Sequence, residues 1–583
     1  MTSPASSGQA LTPPGRPGHP AYRAGILTLC AIGVGTLASL AAIGLTEAVF
    51  WLNDILLIAP RARVQLDAQG YLVPVATVLV PVLGGLVVAL VLRHLSPVHR
   101  PLGPPDVIEA VQFERPLPPL RAGIASTLAA MVSLGAGASV GQYGPMVYLG
   151  AMLGGLVRRL RLGVPNLPAI SVACGVAAAI ATAFNAPIAG LVFAHEVVLR
   201  HYSTQSFAPT TVAAATGYVM ANVVFERPAL FLVRFDGVEH GHEFALFAAL
   251  GILAAGLAIL FMRLILLVSA RAAQSSLPAL LRPAAAGLAL GLAALWLPDV
   301  LGIGKETLRF ATIPGAFAPG ELAVLVIAKL ALTALCIGFG FAGGVFSPAL
   351  LIGILFGALF WTAIDATALV ATSGVAVYAI CGMMALTSPV IGAPLTTILI
   401  VFELTRNYDI TIAAMVAVVF SNLVAHRFFG RSLFDVQLAR RGTDLSKGRD
   451  RARLAALPVS RFCAESPIIG ATGQDLEDLR ARLDRSAWSE AFVTDPQGRF
   501  AGVLDRQAAG TTWDEALRAP ARRFDETTSV LQAMQALRGF VGDAVPVIDS
   551  RNGVLIGVVS EAAVIEAYLD VSAALRREEN AVL

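Results

Sequence analysis

Charged side chains are scarce in this sequence. Asp, Glu, Lys and Arg make up only 14% of its 583 residues, and 56% are hydrophobic. A soluble chain carries roughly a quarter charged residues, so with a mean hydropathy of +0.72 most of this surface does not face water. The net charge of +3 lacks the basic excess of a nucleic-acid binder. Cysteine is rare too: Cys30, Cys174, Cys336, Cys381 and Cys463 show no metal-ligand or redox spacing and read as small buried hydrophobes in a reducing compartment. Neither a nucleophile–base set nor a phosphate loop is present, so no enzymatic activity is expected. The N-terminus is rich in Pro, Gly, Ser and Ala. It lacks the short basic region and apolar run of a signal peptide, and residues 1–22 read as a disordered cytoplasmic tail.

Long apolar runs follow one another from about Ala24 to Ala425. The clear ones are Ile26–Phe50, Leu72–Leu92, Ala122–Leu134, Phe244–Leu267, Ala284–Leu297, Leu322–Ile337 and Ile410–Val424. Others are short or broken by Gly and Pro: Met146–Leu156, Ile188–Leu199 and Phe346–Phe360. A full membrane span takes about 20 apolar residues. Interrupted backbone at membrane depth is tolerated only where it lines a cavity or is buried in protein. The short runs are therefore expected to be half-helices that meet near the bilayer midplane.

The broken segments repeat. Pro145 is followed by Gly150 and Gly154, and Pro348 by Gly353 and Gly357, at the same offsets. Ala186-Pro187-Ile188 leads to Glu196 and Ala393-Pro394-Leu395 to Glu403, nine residues from Pro to Glu in both. The prolines are separated by 203 positions in the first pair and 207 in the second. Paired Gly/Pro-broken segments in two halves point to the binding site of a transporter. The repeats are placed at about 23–235 and 236–441.

Beyond Arg440 the composition changes. Arg440, Arg441, Lys447, Arg449, Arg451 and Arg453 make a basic juxtamembrane stretch that favours the cytoplasmic side, and 442–456 reads as a linker. From 457 the chain looks soluble and α/β. Strands are expected at Ala491–Thr494 and Phe500–Leu504, then at Val545–Ile548 and Val554–Val559, with helices at Leu476–Leu483 and Val530–Leu537. Two copies of this plan resemble a tandem CBS pair over 457–575, leaving 576–583 as a tail.

An anion in hydrocarbon is very costly unless protein dipoles replace its water. Helix N-termini offer free N–H groups and a positive dipole end, glycine lets the backbone approach the ion, and proline suits the first helical turn. Gly141-Gln-Tyr-Gly-Pro145 and Gly343-Gly-Val-Phe-Ser-Pro348 have this composition, stand in repeat register, and have no cationic residue beside them in sequence.

These segments resemble the CLC family of chloride channels and transporters. Gly343-Gly-Val-Phe-Ser-Pro348, preceded by Lys329, is similar to the filter segment G-G-x-F-x-P. The stretch from Phe184-Asn-Ala-Pro187 to Glu196 is similar to the one after the first filter segment, and Gly382-Met-Met-Ala to Glu403-Leu-Thr to its second-half counterpart. Ser432-Leu-Phe-Asp435 resembles the pore-lining S-x-Y-D. The resemblance implies an all-α polytopic fold over 23–441, built as an inverted repeat of broken helices, with a cytoplasmic α/β CBS pair. It further implies a homodimer in the cell's inner membrane, both termini cytoplasmic, with one path for chloride or other small anions in each subunit. By this analogy the amides of Val345 and Phe346, after Gly344, bind a central anion. Those of Gln142, Tyr143 and Gly144, between Gly141 and Pro145, line an outer site.

Departures from the family pattern carry the functional expectation. The family's G-x-E-G-P, whose glutamate plugs the pore and shuttles protons, has Tyr143 at the glutamate position. A phenol titrates near pH 10 and a glutamate near 4.3, so Tyr143 serves as a steric gate or as an O–H donor to the anion. The inner glutamate of many exchangers matches Val197. The family's G-S-G-I-P is here Pro101-Leu-Gly-Pro-Pro105, so Leu102, before Gly103, replaces a polar donor. The pore tyrosine is Phe434. With both proton-handling carboxylates missing, passive, uncoupled conduction is expected. With both polar donors missing, larger anions such as nitrate or bicarbonate are expected to pass. The rivals are an anion/proton exchanger with an unusual proton path and a non-conducting membrane sensor.

Other candidates are read as structural. His195-Glu196 is expected to be a satisfied pair at a helix end, although intramembrane ionisable groups are functional candidates. His240-Gly-His242-Glu243 offers too few ligands for a metal. In nucleotide-binding CBS domains a Ser/Thr and an Asp three residues later hold the ribose and phosphate. Here Ser560 is followed by Ala563, and Asp505 by Ala508. This argues against adenine nucleotide and for a structural, dimer-stabilising tail without cofactor.

Overall fold

A computed structural model describes residues 20–59, 63, 72–227, 230–231, 237–464 and 468–580. Most of the N-terminal tail and the expected repeat boundary near 235 lie outside these. Two compact units divide at Arg440/Arg441.

The first unit is all helical. Among the described residues eight helices are long and apolar enough to span a membrane, and the apolar runs read from sequence fall on them or on shorter ones. The Pro20–Ile55 helix leaves Leu29 and Leu37 more than half exposed. An exposed leucine face suits lipid, which needs no polar partner. Tyr143–Gly155 and Pro187–Phe193 are short, as expected. Phe346–Asp365 is a correction: its helix runs on beyond Phe360 to 20 residues and is long enough to cross.

The glycine repeat has a packing cause. Tyr143–Gly155 lies against Leu167–Phe184, and Phe346–Asp365 against Val375–Ile391. At these crossings backbone meets backbone. A β-carbon on Gly150 would fall 2.3 Å from the Gly175 carbonyl oxygen, and one on Gly357 would fall 2.3 Å from that of Tyr378. The residues five and nine beyond each proline thus serve helix crossings, not the anion.

The proline-to-glutamate repeat also has a structural cause. Glu196 accepts from Leu395 N at 3.0 Å, Thr396 N at 2.9 Å and Thr396 Oγ1 at 2.7 Å. Glu403 accepts from Ile188 N at 2.9 Å and Ala189 N at 2.7 Å. Each carboxylate therefore satisfies the free N–H groups at the helix start of the opposite repeat. His195 is satisfied separately, by His201 O at 2.9 Å and Thr210 Oγ1 at 3.0 Å. The expected His195–Glu196 pair is therefore two satisfied groups with different partners.

The second unit, Arg441–Asn580, holds two small sheets, one of four strands and one of three. Glu490–Thr494 and Phe500–Asp505 form the hairpin of the first sheet, Val545–Ile548 and Leu555–Val559 that of the second, and each hairpin has a parallel strand beside it. Part of the expected linker belongs to this unit. Arg449–Ala456 is a helix whose Leu454 is packed with Val459, Phe524 and Val530. Arg449 and Arg453 pair with Glu578 at 2.5 and 2.7 Å. The expected tail is corrected too, because the Glu561–Glu579 helix continues through Arg576.

Gly357→Leu is expected to cost about 3 kcal/mol by overpacking a crossing that has no room. Gly256→Leu, where nothing lies within 4 Å, is expected to be neutral. Thermal melts in detergent compare the two; equal melting temperatures would contradict the crossing assignment.

Candidate anion pathway

The two filter segments touch. Gly141 and Gly344 exchange both backbone hydrogen bonds at 2.7 Å, a two-residue antiparallel bridge between the repeats. Only glycine permits this approach: a β-carbon on Gly141 would lie 2.9 Å from Gly344 O, and one on Gly144 would lie 3.0 Å from Gly344 Cα. Gln142 N donates to Ser347 Oγ at 3.2 Å. The bridge brings together the starts of the Tyr143–Gly155 and Phe346–Asp365 helices. The first N–H groups of a helix have no intrahelical partner. Tyr143, Gly144 and Phe346 therefore point unbonded donors and two positive dipole ends into one buried place.

Three rings occupy this place. Tyr143 is 5% exposed and stacks on Phe184, with ring centres 4.1 Å apart and an interplanar angle of 25°. Phe346 meets both rings at 5.2 Å, edge-on to Tyr143. Phe184 was not among the expected site residues. It sits beside the Asn-Ala-Pro segment, but no sequence spacing links it to Tyr143.

A third helix start, Pro104–Gln112, packs on the Tyr143–Gly155 helix and on the Leu433–Arg440 helix that carries Phe434. Leu102 and Gly103 lead into the first of these helices and Phe434 lies on the last, and Leu102 and Phe434 are buried. The amides differ from those of the filter. Leu102 N donates to Ser126 Oγ at 2.8 Å, and Gly103 N to Asp106 Oδ2 at 2.9 Å. Asp106 also pairs with Arg100 at 2.6 Å. A carboxylate of this chain already occupies the third helix start. Its signal in the sequence is an acidic residue three positions after a Gly-Pro, a capping position.

Cavities lie on two sides. One of about 170 Å³ opens on Tyr143 and is lined by Glu47, Gln142, Asn185, Arg227, Lys305 and Ser347 among others. The sequence around the filter motifs shows no cation; the fold supplies two from distant segments. The other, about 340 Å³, is lined by Val197, Arg200, Gly392 and Asp435 among others. Val197 contributes no titratable group there, and Arg200 is paired with Asp435 at 2.6 Å. Lys329 lies elsewhere, buried, donating to Val300 O and Gly302 O, both at 2.8 Å. Glu243 is a buried cap that accepts from Ser373 N at 2.8 Å and from Tyr378 Oη at 2.7 Å. Among the described residues no cluster of three or more metal-ligating side chains occurs.

Crossed helices whose free starts converge on a buried point are suited to a small anion. The comparisons agree. The model of the voltage gated chloride channel family matches residues 84–426, and that of the CBS domain matches 516–570. A putative chloride channel protein ClcB-like from Ralstonia nicotianae is 35% identical over 377 residues, 63% of this chain and 87% of that one. An H(+)/Cl(−) exchange transporter ClcA from Cronobacter sakazakii is 31% identical over 437 residues, covering 71% and 89%. A slow cyanobacterial Cl−/H+ antiporter of known structure shares the fold at TM-score 0.65 and 23% identity, over 71% of this chain and 97% of that one. This chain belongs to the CLC voltage gated chloride channel family, with a CBS region behind its membrane unit.

Truncating a ring in the cluster is expected to raise anion flux. An aromatic pair is worth about 0.5–1.5 kcal/mol beyond its burial, and about 1.4 kcal/mol is tenfold in an equilibrium. Tyr143→Ala is expected to increase initial chloride flux up to about tenfold, and Phe184→Ala somewhat less. Liposome efflux measures both; a decrease in both would show that the rings hold the path open.

Proposed function

We propose that this chain is a passive anion channel that moves chloride without coupling to protons. The observation that carries the reading is Tyr143 at the first turn of its helix, stacked on Phe184 and Phe346. No carboxylate stands at that helix position to exchange a proton near neutral pH. Val197 offers none on the other cavity, and Glu196 and Glu403 are committed to helix starts. Tyr143 gates by filling the path and yields by rotating aside or donating its O–H. The filter amides of Val345 and Phe346 hold the central anion, and those of Tyr143 and Gly144 an outer one, the Gln142 amide being bonded to Ser347 Oγ. Leu102 and Phe434 supply no hydroxyl, so the site contributes less to offset dehydration and discriminates weakly, admitting nitrate and bicarbonate.

The protein acts as a homodimer in a cell's inner membrane, with both termini on the cytoplasmic side and the Val197 cavity opening there. The CBS pair works without nucleotide. Ser560 Oγ caps the final helix through Ala563 N at 3.2 Å, and Asp505 lies 3.5 Å from Arg518. A second reading, anion/proton exchange, draws support from relatives named as exchange transporters, and in it an unassigned group replaces the missing glutamates.

Purified protein in chloride-loaded liposomes with valinomycin decides between them when chloride and pH are recorded together. Chloride loss without proton movement is expected, changing less than about twofold between pH 5 and 8, because a phenol titrates near 10. Tyr143→Glu is expected to introduce a steep dependence across the same range. Protons driven uphill by chloride would refute the channel reading, and no flux of any anion would favour a sensor.

A further inference from the structure

The cavity on the Tyr143 side has more cationic character than a passage for chloride requires. Arg227 and Lys305 reach it from segments far apart in sequence. Arg227 pairs with Glu47 at 2.7 Å, and that carboxylate is 63% exposed while the guanidinium is 21% exposed. Lys305 forms no hydrogen bond or ion pair among the described residues, and its Nζ stands 5.2 Å from the centre of the Phe50 ring. Burial, and then the charges of Arg309 and Arg227, hold its ammonium below the usual lysine range, while Glu306 and Glu47 act in the opposite sense. Further polar groups face the same space. Ser347 Oγ accepts from Gln142 N and keeps its own proton to donate. The buried Gln142 Oε1 has no partner among the described residues, while the same side chain bonds the Tyr143 hydroxyl.

We propose that this cavity is an oxyanion-binding site in its own right, ahead of the Tyr143 ring and separate from the filter amides. Its ligand is a small planar oxyanion of the nitrate, bicarbonate or formate type. The guanidinium of Arg227 forks two of the oxygens, a match to planar oxyanions that a spherical halide cannot offer. The Lys305 ammonium supplies a point charge from another side, and Ser347 and Gln142 complete the set. Glu47 is a tethered competitor: its exposed carboxylate takes one guanidinium nitrogen of Arg227 until an oxyanion displaces it. The cavity has room for several waters, so displacing Glu47 needs only a side-chain rotation into solvent. This deepens the anion-pathway reading, since the site would load or hold anions at the mouth of that path, but binding here does not require that the path conduct.

Isothermal titration of the full-length protein in detergent with sodium nitrate, formate and chloride tests the site without relying on flux. Nitrate and formate are expected to bind at least about fivefold more tightly than chloride. Arg227→Gln with Lys305→Gln is expected to weaken nitrate about tenfold or more. Glu47→Gln, at an exposed position, is expected to tighten nitrate about threefold to tenfold by releasing the guanidinium. Nitrate affinity unchanged in both variants would overturn the proposal, and chloride binding as tightly as nitrate would overturn the oxyanion assignment. Where the double variant fails to fold, Glu47→Gln alone decides, and no tightening overturns the proposal. Nitrate binding that follows these expectations in protein that carries no anion across liposomes would keep this site and remove the channel reading.

Discussion

Two hydrogen bonds between Gly141 and Gly344 hold the membrane unit's chemistry in place. They join the repeats where the Tyr143–Gly155 and Phe346–Asp365 helices begin, and thereby aim both dipole ends at one point. An anion placed there would exchange its water for fixed N–H groups, without which burial of charge is prohibitive. The bridge needs glycine on both strands. The ring cluster, the cavity beside it and the crossings beneath it all depend on how closely these loops approach.

What occupies helix starts separates structural positions from functional ones. Several starts meet carboxylates or other protein groups. Glu196 and Glu403 cap the starts at Leu395 and Ile188, Asp106 caps that at Gly103, and Ser560 caps the last helix of the CBS unit. The filter starts meet aromatic rings, which do not satisfy an amide. An unsatisfied donor in a dry place persists where something else binds it, and this contrast marks the filter out from chemically similar segments nearby.

The architecture was legible because its signals are periodic. Apolar runs set the helices, and the Gly-Gly-Val-Phe-Ser-Pro motif pointed to the family. The repeat at fixed offsets from proline pointed to two halves, although its glycines serve crossings and its glutamates serve caps. Less legible was anything that depends on residues far apart in sequence. Phe184 meets Tyr143 only because the two helices cross, and Arg227 and Lys305 converge on the cavity from segments that carry no motif. The commitment of the Leu102 and Gly103 amides rests on Ser126 and Asp106. The first lies 24 residues away, which sequence spacing cannot reveal. The basic linker was misjudged for a similar reason: Arg449 and Arg453 find their carboxylate in Glu578, 129 and 125 residues further on.

The reciprocal carboxylate caps also set a timetable for the ribosome. Ile188 and Ala189 wait for Glu403, which is 215 residues further along the chain. At roughly 5–20 residues per second that is roughly 10–40 s of synthesis. Throughout that interval the first half holds two unsatisfied amides that its own sequence cannot satisfy. The same holds in reverse for Leu395 and Thr396, whose cap is made first and stands as a buried-side carboxylate without donors. Neither half is therefore a finished product on its own. A chain truncated between the repeats would leave Ile188 and Ala189 without their cap, an incomplete fold.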